Sequence, residues 1–416
     1  MTGPNPWAEK AHALDRYRWR LLRERHGLCG SALRFAREAV GDWWFGARAK
    51  RRLAKSVDPV PCDFVLLQSA PKVIEFHRKD LLISGLRNRG HNLVETALQP
   101  RAVLLSKGML RRPPYSLPTR YFGLAAYAEW LAEHHSPKVM LNDRNGSLYV
   151  PFLRLALNAR GAKLVHLAHA TTVESSRRLG MNDYDHYFLF GRSSLEALQS
   201  RKLRFGSSVA VLAGSHMIDG AYDLPAADPS RQTVLILGVG PDKEKEPGYL
   251  ATYKMLSDWT LEYPEYRVLI KAHPRSAAMF WYGVSRRLHN VEVLDKSYTL
   301  AEALREASVV INIMSNAVIE AALARRPVIF ANASGERDIF GQEYFFGDSV
   351  TSVSSLQAKL DFIKLNYAES VGSSEAFAEY HLANGNRGLE VTLDLLEEVL
   401  KEGNCPGVAL SARFDK

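Results

Sequence analysis

The sequence predicts an α/β chain built from two parallel-sheet domains, and three observations carry that expectation. At 416 residues the chain is long enough for about two domains with separate cores. Short apolar runs such as VLIKAHPRS (268–276) and TVLILGVG (233–240) are too brief for helices and end in polar or glycine-bearing corners. Helical stretches alternate with these runs. In VVINIMSNAVIEAALARRPVIFAN (309–332) a strand, a loop, a helix and a second strand follow one another, an order that builds parallel sheets with right-handed crossovers.

Residues 1–60 form a basic, aromatic helical segment with thirteen Lys and Arg against six Asp and Glu, most of the chain's net charge of +9. Trp19, Trp43, Trp44 and Phe45 are interleaved with Arg16, Arg18, Arg20, Arg23, Arg25, Lys50, Arg51 and Arg52. That mixture, spread over residues 1–55, suits peripheral contact with an anionic membrane. A helical pair packed on the main body is the plainer alternative. No nucleic-acid motif accompanies the charge, so nucleic acid is not an expected partner.

The first domain spans 61–216. CDFVLLQS (62–69) reads as its opening strand, followed by a helix over 72–88 closed at Gly90. HNLVETAL (91–98) and AVLLS (102–106) read as strands, 107–118 as a loop with prolines, and 121–135 as a helix. KVMLNDRNG (138–146) and KLVHLAHATT (163–172) flank a helix over 148–160. They deliver Asn142, Asp143, His166, His169, Thr171 and Thr172 toward one sheet edge. DYDHYFLFGRSSLEAL (183–198) adds a strand and a capped helix, and SSVAVLA closes the domain.

MIDGAYDLPAADPSR (217–231), rich in Gly, Pro and Asp, reads as a linker. The second domain covers 232–365. Its first strand leads into Gly238 and Gly240, and the missing third glycine excludes a nicotinamide or flavin fingerprint. A helix over 248–263 precedes the strand that ends in Lys271, His273, Pro274 and Arg275. VEVLDKS (291–297) and LAEALREAS (300–308) supply a strand and a helix, 335–347 a loop able to serve as a lid, and 366–416 C-terminal helices with a break near 370–385.

Where open α/β sheets bind ligands, at the carboxyl ends of their strands, this chain places Lys271, His273, Arg275 and free backbone N–H groups, a set suited to phosphate. Ser315 and Asn316 offer further donors at the start of the helix over 317–325. Glu320 is placed to accept a bond from a ribose hydroxyl. Composition is that of an ordinary globular protein, 46% hydrophobic and 24% charged. No apolar run approaches the ~18 residues that cross a bilayer. The N-terminus lacks a signal-peptide core, and Cys29, Cys62 and Cys405 show neither disulfide nor metal spacing, so a cytoplasmic setting is expected.

His273–Pro274 after one strand and Ser315–Asn316 before a later helix, together over residues 60–365, resemble the donor-binding half of GT-B glycosyltransferases. More narrowly they resemble the bacterial capsule, lipopolysaccharide, sialic-acid, Kdo and CDP-glycerol transferases, which pair a His-Pro motif with Ser-Ser or Ser-x. Asn316 departs from the paired serines. The resemblance implies two Rossmann-like domains facing across a cleft, with the C-terminal helices crossing back to the first. It also implies a CMP-activated donor of the Kdo or sialic-acid type, and a surface polysaccharide or lipid-linked glycan as acceptor at the inner face of the cytoplasmic membrane.

Three residues compete for the chemistry. His169 suits a general base because imidazole titrates near neutrality, and HLAHATT resembles the His-Gly pair of glycerophosphate transferases with Ala170 in place of glycine. Asp143 requires a pKa raised by burial to compete. Asp242, in LGVGPDKE, resembles the aspartate that Kdo transferases use as a nucleophile, so retention and inversion both stay open. No metal or other cofactor is expected. Alternatives are CDP-glycerol phosphotransfer, UDP-sugar transfer or epimerisation, and a non-catalytic nucleotide-sugar-binding scaffold in a polysaccharide assembly complex.

Overall fold

The computed structural model describes residues 5–171 and 177–412; Thr172, expected at the sheet edge, lies outside them. The chain folds as two compact units, one running to Met217 and resuming at Leu389, the other covering Ile218–Gly388.

The first unit opens with α1 (Pro6–Arg23), α2 (Leu28–Lys50), β1 (Cys62–Gln68), α3 (Pro71–Ile74), α4 (Asp80–Asn88), β2 (Leu93–Ala97) and α5 (Arg101–Ser106). It continues through α6 (Thr119–His135), β3 (Pro137–Asn142), α7 (Val150–Asn158), β4 (Lys163–Leu167), β5 (His186–Leu189), α8 (Arg192–Ser200) and β6 (Ser207–Leu212). The second unit begins with β7 (Thr233–Leu237), α9 (Pro247–Glu262), β8 (Arg267–Lys271), α10 (Met279–Ser285), β9 (Val291–Val293) and α11 (Leu300–Glu306). It ends with β10 (Val309–Asn312), α12 (Val318–Leu323), β11 (Val328–Phe330), α13 (Gln342–Phe346), α14 (Val353–Leu365) and α15 (Tyr367–His381). Then α16 (Gly388–Glu402) and β12 (Val408–Ser411) return to the first unit.

Both sheets are Rossmann-like. The first has strand order β12-β6-β5-β4-β3-β1-β2, parallel except for β12, which runs antiparallel to β6. The second has order β11-β10-β7-β8-β9 and is parallel throughout. Helices cover both faces of such sheets, so their strands read as unbroken apolar runs; every residue of β7 is buried. Phe64, Leu66, Val139, Leu141 and Val165 centre one core, which α16 completes with Leu393, Leu396 and Val399. Ile236, Trp259, Ile270, Trp281 and Ile311 centre the other.

Several sequence expectations are corrected. AVLLS forms α5, not a strand: Pro100 fixes φ at −61° ahead of it, the Leu104 N–H donates to Pro100 O at 3.1 Å, and only Leu104 of the run is buried. The return to the first unit starts at Leu389, not at residue 366. Helix α15 stays with the second unit, where Ser374 Oγ donates to Arg326 O at 2.8 Å. It runs to His381, and the interruption expected near 370–385 falls at 382–387, before α16. Residues 218–231, expected as a linker, belong to the second unit, and the buried Arg326 guanidinium donates to Pro225 O at 2.8 Å. The N-terminal segment is not a separate body. Trp7 stacks on Phe152 with ring centroids 5.8 Å apart, and α2 lies against α6 closely enough that a Cβ on Gly46 would sit 1.8 Å from Thr119 O.

Candidate functional site

In the second unit β8, β7 and β10 lie side by side and parallel, so the loops after Lys271, Leu237 and Asn312 leave from one rim. Gly238 N–H donates to Lys271 O at 2.9 Å, carrying the ladder one residue past the strand. A Cβ on Gly238 would meet Ala272 Cα and His273 N at 3.0 Å, so glycine lets the loop press against the His-Pro turn without displacing its backbone. Four hydrogen bonds hold that turn. Arg275 N–H donates to His273 Nδ1 (3.1 Å), Ser276 N–H to His273 O (2.8 Å), Ser276 Oγ to Glu244 Oε2 (2.5 Å) and Ala278 N–H to Ser276 Oγ (2.9 Å). A neutral ring accepting at Nδ1 carries its proton on Nε2. Pro274 and Arg275 are exposed, and the Arg275 guanidinium has no carboxylate partner among the described residues. Its Nη2 lies 3.9 Å from the Cβ position of Gly240.

Lys271, expected as a phosphate ligand, is half-buried at the end of β8. Its ammonium donates to the carbonyls of Tyr298 and Asp295, tying the end of β8 to the loop before α11. Partial burial lowers its pKa.

After β10 the buried Asn312 carboxamide accepts the Ser315 N–H at 3.0 Å and donates to Gln342 Oε1 at 2.7 Å. Ser315 and Asn316 carbonyls accept from Val318 and Ile319. Helix α12 is six residues long, shorter than the expected 317–325, so its dipole adds little. Half-buried Glu320 lies on it, its carboxyl pushed up to about 7 by desolvation. Asp242 follows the Gly238–Gly240 loop but is exposed and heads a one-turn 3₁₀ segment without capping it. Beside it Glu244 accepts from Ser276 and Lys243 pairs with Glu246 at 3.0 Å.

Asp143 and His169 come together on the rim of the seven-stranded sheet. Together with Gln68, Lys79 and Asn145 they line a cavity of about 520 Å³. Asp143 sits in a loop pinned by the fully buried His166: Asn142 Nδ2 lies 2.8 Å from its Nδ1 and Asn145 Oδ1 2.7 Å from its Nε2. That pattern makes His166 a neutral Nε2–H imidazole, with a pKa well below the usual value through burial; it is a positioning group. Asp143 Oδ1 is buried without a hydrogen-bond partner, as is the hydroxyl of Thr171. His169 is exposed.

Two residues of this cavity region have no signal in the sequence. Lys79, 3% exposed, places Nζ 2.6 Å from Nε2 of the buried His216. Burial lowers the Lys79 pKa to about 8 against the opposing pull of Asp143, and holds His216 neutral. The two residues are 137 positions apart, and Lys79 sits in the polar run FHRKD, indistinguishable from a solvated face.

No protein-family model matches this chain, and no curated protein matches its sequence. Solved structures do resemble it. One, described as a UDP-N-acetylglucosamine 2-epimerase from Listeria monocytogenes, is 10% identical with a TM-score of 0.53, over 84% of this chain and 99% of that one. S. aureus MnaA in complex with UDP is 11% identical with a TM-score of 0.52, over 83% and 99%. A third structure, described as a UDP-N-acetylglucosamine 2-epimerase, is 13% identical with a TM-score of 0.51, over 84% and 99%. At these identities the likeness is one of fold: the chain has a GT-B type of fold, with two Rossmann-like α/β units.

Proposed function

We propose that the chain is a nucleotide-sugar-dependent glycosyltransferase that seats the donor phosphate on the rim of the five-stranded sheet. The observation that carries this reading is the locked pair of turns after β7 and β8. Gly238 lets the two backbones approach closely, and the His-Pro turn carries the His273 ring and the exposed Arg275 side chain, whose Nη2 lies 3.9 Å from the Cβ position of Gly240. Backbone N–H groups, an imidazole and a cation gathered at one turn stabilise a departing phosphate as charge develops. Ser315 leaves the same rim two strands away, about 10 Å across. Glu320 is the partner for a ribose hydroxyl, and Lys271 supports the site from behind.

The donor follows the His-Pro and Ser-x resemblance: a CMP-activated sugar of the Kdo or sialic-acid type, transferred to a glycan or lipid-linked acceptor at the inner membrane face. His169 is the base in this reading, with Asp143 its competitor and Asp242 the nucleophile of a retaining route. A second reading, UDP-sugar epimerisation, is favoured by two structural neighbours described as UDP-N-acetylglucosamine 2-epimerases and by S. aureus MnaA in complex with UDP.

Calorimetric titration with CMP, CDP and UDP tests the seat, and His273→Ala weakens the nucleotide that binds by about tenfold or more. Assay of the matching nucleotide sugar, following nucleotide release against sugar interconversion, separates transfer from epimerisation. Binding of none of the three nucleotides, or an unchanged affinity in His273→Ala, overturns the assignment.

A further inference from the structure

Helix α2 buries Ser31, Asp42, Phe45, Gly46 and Ala49. At 3.6 residues per turn its opposite side carries Leu33, Val40, Trp43 and Trp44, which are 74%, 58%, 50% and 60% exposed. Arg34, Arg37 and Arg48 flank this apolar stripe, and Arg51 and Arg52 follow its end, all exposed. None has a carboxylate partner among the described residues. The helix's own acids are committed elsewhere: Arg18 pairs with Glu38 at 2.7 Å and with Asp42 at 2.6 Å, and Arg101 with Asp42 at 2.5 Å.

A second observation adjoins the stripe. Between α2 and α5 lies a cavity of about 600 Å³, lined by Trp44, Arg48, Arg52, Arg101 and Leu105. Gly41 leaves its wall open, since a Cβ there would meet nothing within 4 Å. Arg101 is fixed by Asp42, with its guanidinium 5.0 Å from the Phe45 ring centroid. Three guanidinium groups around one cavity, beside large exposed apolar side chains, match the phosphate and upper acyl region of a phospholipid.

We propose that α2 lies in the plane of an anionic bilayer, with a phospholipid headgroup phosphate held among Arg48, Arg52 and Arg101 and with Leu33, Val40, Trp43 and Trp44 in the acyl boundary. Among the described residues no helix is long and apolar enough to cross a membrane, so the contact is one of surface. A second copy of the chain is the poorer occupant, because a two-fold contact through α2 sets the same arginines against each other. The site stands independently of the nucleotide reading.

Flotation of the full chain with vesicles tests this, using phosphatidylcholine alone and with about 30% phosphatidylglycerol. The protein floats with the anionic vesicles and not with the neutral ones. Arg48→Glu/Arg52→Glu and, separately, Trp43→Ser/Trp44→Ser each lower the bound fraction by about tenfold or more, while circular dichroism shows unchanged helix content and melting. Glycerol phosphate at millimolar concentration does not displace the vesicles. Failure to float, equal flotation with both vesicle types, or undiminished flotation of either double variant overturns the proposal. So does displacement by glycerol phosphate, which marks a soluble phosphate site. Conversion of a dimer to a monomer by Trp43→Ser/Trp44→Ser, without vesicle binding, assigns the face to self-association and overturns it equally.

Discussion

Lys79 holds an amine in a space 3% open to solvent, with His216 Nε2 at 2.6 Å and the carboxylate of Asp143 acting on it from the cavity side. Its pKa, lowered from 10.5 to about 8, has a stability consequence of definite sign. Between those values the unfolded chain binds a proton that the folded chain has released, so this group makes stability rise with pH across the window. Urea unfolding of the wild type and Lys79→Met, followed from about pH 8 to about pH 10, gives a difference that grows with pH. Parallel profiles would remove the lysine from that role. His273 and Arg275 were legible because a short apolar strand ends in them, and Lys271 because it ends that strand; its bonds to Tyr298 and Asp295 carbonyls were not. Lys79 and His216 were invisible, since only tertiary folding joins them.

The crossing of α2 and α6 depends on two glycines. A Cβ on Gly46 would lie 1.8 Å from Thr119 O, and one on Gly123 2.4 Å from the Phe45 ring. Backbone cannot yield as a flexible side chain does. Gly46→Ala therefore destabilises the first unit by about 1–3 kcal/mol in chemical denaturation, and full stability in that variant would mean the helices sit farther apart. Elements of this kind were read from the sequence with uneven success. Strands β1, β7, β8 and β10 are centred on unbroken apolar runs because helices cover both faces of their sheets. Helix α5 escaped because six residues with one buried leucine carry no period. The short strand β12, mostly exposed, has only three apolar residues in a row, too few to mark a strand.

Across the whole molecule, burial keeps five histidines neutral: His135, His166, His186, His216 and His381, each with a lowered pKa, that of His135 and of His381 about 4. In the unfolded chain each takes up a proton near the ordinary value of 6.5. The unfolded state then binds more protons, so stability falls as pH drops from about 6.5 toward 4. Melting temperatures measured near pH 7 and near pH 5 record that fall, and no change between them would mean these rings are solvated.

The interrupted first unit has a consequence for how the chain is born. A ribosome releases residues in order, and Ile218–Gly388 forms one continuous piece, whereas the earlier sheet lacks Leu393, Leu396, Val399 and Cys405 until the whole of that piece has been made. The later-made half can thus mature first, and the nascent earlier half waits with part of its apolar lining unclad.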